Sequence, residues 1–302
     1  MIFPLSQDNT TAGHRRSHSG ALSHHRTDFH FCRTYPGDDF STSLSRHEHY
    51  LCLRLRLKPG DRVLVVGCGT GDVVFELVHY ADVDVVGFDQ DEGKIDQARR
   101  RAEGANLEAQ RNDLASYFER DSFDYVYSVE GFRSATSFDS VYQQIHTLLK
   151  PGGRTGITDW CFTPSFTPIN STDHHRLSTL LAHTARLFPR PPQDRTISAA
   201  HTSLRLAGLH LEEFDDLAGR GTGREVEWYG VLERALRDPM MAMSANAGDL
   251  DNSEEEGDVW YETFGFSREA AVVIVEAGKR KLFTPMALFI ASKPLANSSP
   301  GQ

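Results

Sequence analysis

The sequence has few cysteines, no long apolar run and no excess of positive charge, and each shortage excludes something. Its four cysteines, Cys32, Cys52, Cys68 and Cys161, form no CxxC pair. They read as reduced thiols in a cytosolic setting, and no metal site is expected. No apolar stretch approaches the ~20 residues needed to cross a bilayer. Met1 to Gln7 lacks a basic segment followed by an apolar one, so a cleaved signal peptide is not expected. Asp and Glu number 42 against 32 Lys and Arg, for a net charge of -10. A sequence-independent nucleic-acid binder needs a basic surface to neutralise phosphates, so nucleic acid is set aside as a partner. Apolar patterning is missing from residues 1–27, which hold His14, Arg15, Arg16, His18, His24 and His25. Such a segment cannot bury enough surface to offset its ordering entropy and reads as a disordered tail. Its histidines have no regular metal-ligand spacing.

The composition is otherwise that of a globular protein. The chain has 302 residues, 39% apolar and 25% charged, enough to bury a full core. From about residue 60, strand and helix signals alternate. Val63 to Val66, Val83 to Phe88, Asn106 to Leu114, Phe123 to Val129 and Arg154 to Trp160 read as strands. Asp72 to Tyr80, Asp91 to Glu103 and Phe138 to Leu149 read as helices, the last stopped by Pro151-Gly152-Gly153. Farther on, helices are expected over 171–188, 196–206, 225–237 and 267–278, with strands over 210–217 and 282–290. The acidic run 249–258 reads as a solvated loop. Strands alternating with helices imply a mostly parallel, helix-covered α/β sheet.

The strongest local signal is Val63-Leu64-Val65-Val66-Gly67-Cys68-Gly69-Thr70-Gly71. It closes a strand and opens a helix. Glycines there let the backbone turn tightly and approach a ligand, and a helix amino terminus presents free N–H groups. The spacing is GxGxG, unlike the GxGxxG of dinucleotide binders, which counts against a nicotinamide-dependent oxidoreductase. Asp89 stands about 20 residues on, at the tip of the next strand, where a carboxylate accepts from ribose hydroxyls. Gln90 follows it. Asn112 and Asp113 end the third strand, and Leu148-Leu149-Lys150-Pro151-Gly152-Gly153 precedes the fifth. Together these resemble the class I S-adenosyl-L-methionine (SAM)-dependent methyltransferase pattern.

Two further regions narrow the resemblance. His30-Phe31-Cys32-Arg33-Thr34-Tyr35-Pro36 and Arg46-His47-Glu48-His49-Tyr50-Leu51 precede the sheet, and Lys281-Leu282-Phe283-Thr284-Pro285-Met286 opens its last strand. These strings resemble the sterol C-methyltransferases that act on the sterol side chain, from about residue 28 to residue 293. The resemblance implies a Rossmann-like, seven-stranded doubly wound sheet whose last strand is antiparallel. It implies a tail to residue 27, a cap segment over 28–59, a SAM-binding domain over 60–219 and a substrate-cap region over 220–302. SAM is the implied cofactor, held by Gly67, Cys68, Gly69, Gly71, Asp89, Gln90, Asn112 and Asp113. The implied reaction is C-methylation of an alkene in a small apolar sterol- or terpenoid-like acceptor. The resulting cation is shielded by aromatic faces, each worth ~0.5–2 kcal/mol. Tyr35, Tyr50 and Trp160 are the candidate acceptor-facing aromatics, and Glu130, Asp159 and His49 the candidate catalytic groups. A cytoplasmic enzyme is expected, and weak peripheral contact with the endoplasmic reticulum or lipid droplets would suit an apolar acceptor. The aromatics Trp228, Tyr229, Trp260, Tyr261, Phe264 and Phe266 read as pocket or core rather than as a membrane anchor.

The sequence departs from the family pattern at four places. Val65 stands where the first strand usually carries a carboxylate. A lost charge-assisted hydrogen bond costs roughly 1.5–3 kcal/mol, about 10- to 150-fold in affinity. Ser134 stands in place of a histidine, Asp159-Trp160 in place of Glu-Trp, and only Phe29 remains of an aromatic segment ahead of His30. These departures point to a specialised-metabolism relative acting on a terpenoid- or polyketide-like acceptor. The alternative reading is a repurposed methyltransferase fold that cyclises, isomerises or only binds.

Overall fold

The computed structural model describes residues 26–101, 106–109, 114–133, 135, 137–166, 192–220, 225–238, 260 and 263–295. The helix expected over 171–188 and the acidic run 249–258 lie outside the described residues, as do Asn112, Asp113, Ser134 and Tyr261.

Seven strands form one sheet: β1 Arg62–Val66, β2 Asp84–Asp89, β3 Asn106–Ala109, β4 Phe123–Val129, β5 Leu149–Phe162, β6 His210–Asp216 and β7 Phe283–Ser292. Their order is β3-β2-β1-β4-β5-β7-β6. The first five pair in parallel, and β7 runs antiparallel between β5 and β6. Strand order reverses between β1 and β4, which opens a crevice at their carboxyl ends, the place where open α/β sheets bind ligands. β5 starts at Leu149, five residues earlier than the pattern suggests. Pro151-Gly152-Gly153 is taken into the strand, and the β4 register shifts between Phe123 and Tyr125.

Both faces of the sheet are buried, so the central strands read as continuous apolar runs. On one face Val63, Val65, Tyr127, Trp160 and Leu288 pack under α1 Phe40–Leu55, α2 Asp72–Ala81, α3 Glu92–Arg101, α7 Gly230–Arg237 and α8 Arg268–Lys279. On the other, Leu64, Val126, Ile157 and Phe289 pack under α5 Phe138–Leu148 and α6 Ile197–Leu206. The short α4, Leu114–Tyr117, follows β3. The proposed cap segments therefore share one core with the sheet.

Two local expectations shift, and one helix is added to them. Arg26 and Thr27, assigned above to the tail, are docked against the fold. Residues 40–55 form α1, capped by Asp39, which accepts from the Thr42 N–H at 2.7 Å. α7 begins at Gly230 instead of Glu225, because the Val226 N–H donates to the Thr34 carbonyl at 2.9 Å and ties that stretch to the amino-terminal segment.

Candidate active site

The glycine turn after β1 is built by close approach. Gly67, Gly69 and Gly71 have φ of 74°, 55° and 96°, a region glycine enters without strain. A Cβ on Gly67 would lie 2.3 Å from the Gly131 Cα, so the tips of β1 and β4 touch. The Gly67 and Cys68 N–H groups donate to the Phe88 carbonyl at 2.8 and 3.0 Å. Asp89 accepts from the Gly69 N–H through Oδ2 and from the Asp91 N–H through Oδ1, both at 2.9 Å. The carboxylate expected to meet a ribose thus already shapes the turn, with lone pairs left for a ligand. Gln90 beside it is exposed. Val65, the departure in β1, is buried apolar core beneath the turn.

A strap formed by residues 26–33 crosses this turn. The Thr27 and Asp28 N–H groups donate to Asp72 Oδ2 at 2.6 and 2.8 Å, while Arg101 pairs with Asp72 Oδ1 at 2.6 Å. Asp28 Oδ2 accepts from the Thr70 N–H at 2.7 Å and from its hydroxyl at 2.8 Å. A Cβ on Gly69 would meet that carboxylate at 2.6 Å. Burial, then the Asp72 charge, pushes the Asp28 carboxyl above its usual pKa. The turn and Asp89 fit an adenosyl cofactor, yet the protein's own carboxylate sits at the anion-seeking end of the turn.

Glu130 ends β4 with φ of 54°, a left-handed conformation that is uncommon away from glycine and concentrates at functional sites. It is 5% exposed. Its Oε1 accepts from the Phe31 N–H at 2.6 Å, and its Oε2 lies 3.9 Å from Arg133 Nη1. Burial raises its pKa, against the pull of Arg133 and His30. Trp160, fully buried, stands next to it in an aromatic cluster: Phe31 at 5.6 Å, Phe283 at 5.4 Å and Phe266 at 6.0 Å between ring centroids. Phe29 extends the cluster to Phe264 at 4.9 Å, so the remnant of the amino-terminal aromatic segment packs inward. Trp228, Trp260, Phe264 and Phe266 are buried as well, as core or pocket and not as a surface anchor.

The other candidates named from the sequence separate. Asp159 turns to the other face of the sheet from Trp160: its partner Arg195 lies over Phe138 in the core beneath α5, whereas Trp160 belongs to the core beneath α1. Its Oδ2 is 3.5 Å from Arg195 Nη2, and Arg195, fully buried, donates to the carbonyls of Phe132 and Arg133 at 3.2 and 2.6 Å. Asp159 thus braces the loop after β4 and does not reach the Glu130 side. His49 is corrected similarly. It points outward from α1, pairs with Glu76 at 2.7 Å and stacks on Tyr80 at 3.8 Å. Tyr35 sits at the rim under Arg46, and Tyr50 lies between Arg33 and Arg54. Neither is brought to Glu130.

The buried titratable residues at the middle of α1 are instead His47 and Glu48, which the motif reading passes over. Glu48 is fully buried and accepts from Arg26 at 2.7 Å and from His30 Nε2 at 3.0 Å. Burial opposes its charge, but these two partners win and bring its pKa down to about 2. The same pairing raises His30 despite burial. His47, 3.4 Å from the Thr158 hydroxyl, is pushed down to about 3 by burial and by His30. A signal for them is present: Leu44, Leu51, Cys52 and Leu55 define the inner stripe of α1, and helical spacing puts 47 and 48 on it and 49 off it.

A family model described as a methyltransferase domain matches residues 57–204, and one described as the sterol methyltransferase C-terminal region matches residues 263–295. The sterol 24-C-methyltransferase ERG6 of Saccharomyces cerevisiae is 30% identical over 301 residues, covering 91% of this chain and 75% of the relative. ERG6B of Gibberella zeae is 31% identical over 289 residues, covering 88% and 74%. Among solved structures, the cyclopropane synthase MmaA2 of Mycobacterium tuberculosis superposes with a TM-score of 0.66 at 17% identity, covering 88% of this chain and 90% of that one. The [4+2]-cyclase SpnF gives 0.62 at 17% identity, covering 89% and 88%. The latter two establish the fold alone. The glycine turn, the carboxylate at the tip of β2 and the closing β7 lie in a sequence that matches these relatives along nearly its whole length, and the chain belongs to the sterol methyltransferase family of SAM-dependent enzymes.

Proposed function

We propose that this protein transfers a methyl group from SAM to an electron-rich carbon of an isoprenoid acceptor, a sterol, terpenoid or related specialised metabolite. The observation that carries the reading is Glu130, a buried carboxylate beside the glycine turn at the edge of a closed aromatic cluster. SAM, when bound, supplies an electrophilic methyl. Gly67 to Gly71 and Asp89 hold the adenosyl moiety, with Asn112 and Asp113 assigned to the adenine side by their place after β3. Trp160, Phe31 and Phe283 exclude water from the acceptor, which protects a cationic product state that water would otherwise capture. Glu130 takes the proton released from carbon, and burial, by raising its pKa, makes its carboxylate a stronger base than an exposed one. Asp159 and Arg195 position the loop that follows.

The test is transfer of labelled methyl from SAM to a panel of sterols and isoprenoids, with Glu130→Gln beside the wild type. Labelled product from the wild type, reduced at least about 100-fold in the variant, supports the reading. One observation favours a second reading, a fold repurposed away from methyl transfer: the Asp28 carboxylate seated on Thr70. That reading predicts no binding of S-adenosylhomocysteine, even by a variant in which Asp28 is neutralised.

A further inference from the structure

Arg133 lies three residues past Glu130, on the cap-facing side of the β4 tip. Its guanidinium sits over the Trp160 ring, 5.3 Å from the centroid. Gly265 faces it, since a Cβ there would be in ordinary contact with Nη2 at 3.6 Å. The side chain is 21% exposed, yet its one ion-pair contact among the described residues is Glu130 at 3.9 Å, beyond hydrogen-bond reach. Its Nη1 is buried without a hydrogen-bond acceptor among the described residues. A guanidinium carries five N–H donors in a rigid fork, and leaving a buried one unmatched is costly. The backbone beneath is held in place: fully buried Arg195 donates to the Arg133 and Phe132 carbonyls and is braced by Asp159. A fixed, under-partnered cation on an aromatic face is an anion seat. It also occupies the Trp160 face that would otherwise stabilise a cation on a neutral alkene.

We propose that Arg133 receives a carboxylate of the acceptor, so that the natural acceptor is an isoprenoid acid whose carboxylate lies near the accepting carbon, and not a neutral sterol. The word acceptor rests on the methyltransferase reading; the anion seat does not. One guanidinium matches one carboxylate in a bidentate pair. Glu130 at 3.9 Å repels either anion, and a diphosphate, which carries more charge than a single arginine neutralises, the more strongly.

The experiment is calorimetric titration of the full-length protein with a series of isoprenoid carboxylic acids of increasing length, each paired with its alcohol, and with a prenyl diphosphate. The expected result is an acid that binds about tenfold or more tighter than its alcohol, a difference that Arg133→Met removes. Glu130→Gln, which removes the competing negative charge, widens the same difference and serves if the methionine variant does not fold. Equal affinity of every acid and its alcohol, failure of every acid to bind, or a preference that survives Arg133→Met overturns the proposal. A ratio unchanged by Glu130→Gln does the same. Tighter binding of the diphosphate overturns the choice of carboxylate. S-adenosylhomocysteine is titrated separately: its failure to bind contradicts the methyltransferase reading without altering the ratio of acid to alcohol.

Discussion

Replacing Asp28 by asparagine separates the shape of the strap from its charge. The amide oxygen can still accept from Thr70, whose N–H and hydroxyl lie 2.7 and 2.8 Å from the present carboxylate oxygen, so the strap keeps its path. What disappears is a negative charge at the mouth of the glycine turn, where the methionine end of the cofactor and its own carboxylate are expected. Two like charges about 4 Å apart at an effective dielectric constant of ~20 repel by ~4 kcal/mol. Asp28 avoids part of this by taking up a proton, because burial and Asp72 already raise its pKa. The Lys94 charge and the two hydrogen bonds from Thr70 oppose that rise. A net gain of about 1–3 kcal/mol remains, roughly 5- to 150-fold tighter S-adenosylhomocysteine at neutral pH. The sign with pH follows: wild-type affinity rises as pH falls towards the raised pKa of Asp28, while the asparagine variant shows no such rise. Calorimetry as a function of pH reads both effects. Equal affinity of the two proteins, with the same pH profile, would refute the reasoning and show that the cofactor never meets this carboxylate.

Asp89→Ala removes the acceptor of the Gly69 and Asp91 N–H groups, and S-adenosylhomocysteine should bind at least several-fold more weakly, by calorimetry. Glu48→Ala leaves Arg26 and His30 without their buried partner and should cost about 3–5 kcal/mol in urea unfolding; a loss under about 1 kcal/mol would show that the cluster adds little. His47 has a folded pKa of about 3, below its unfolded value. Its contribution to stability is full above about pH 6.5 and is lost as pH falls towards 3. His47→Gln should therefore flatten the fall in melting temperature over that window. Gly67→Ala forces a Cβ to 2.3 Å from Gly131 at φ of 74° and should prevent a native glycine turn, seen as loss of cofactor binding together with a lowered melting temperature.

The sheet is legible in the sequence because its information is local. Val63 to Val66 and Val83 to Phe88 are β-branched or aromatic runs, and the strand at 63–66 closes on a glycine turn. Asp89 falls out of the spacing alone, and it does stand at the tip of β2. The strap is not legible, since its partners are far along the sequence: Arg26 meets Glu48 and Glu76, and the Phe31 N–H meets Glu130 across 99 residues. Local polarity around residues 24–28 suggests a tail, while long-range hydrogen bonds hold its last residues down. His49 is favoured by a matching string and not by helical phase, and phase decides that His47 and Glu48 face inward. Asp159 misleads for a similar reason. Asp159 is drawn to Arg195 on one face of the sheet while Trp160 packs into the core on the other, a separation that the string Asp-Trp does not reveal.

Titration of the full-length protein with S-adenosylhomocysteine tests most directly whether the turn from Gly67 to Gly71 and Asp89 bind an adenosyl cofactor. The predicted result is saturable binding at one site per protein molecule, weakened by Asp89→Ala and strengthened by Asp28→Asn. No heat of binding from the wild type or the asparagine variant at any pH between about 5.5 and about 8 would contradict it.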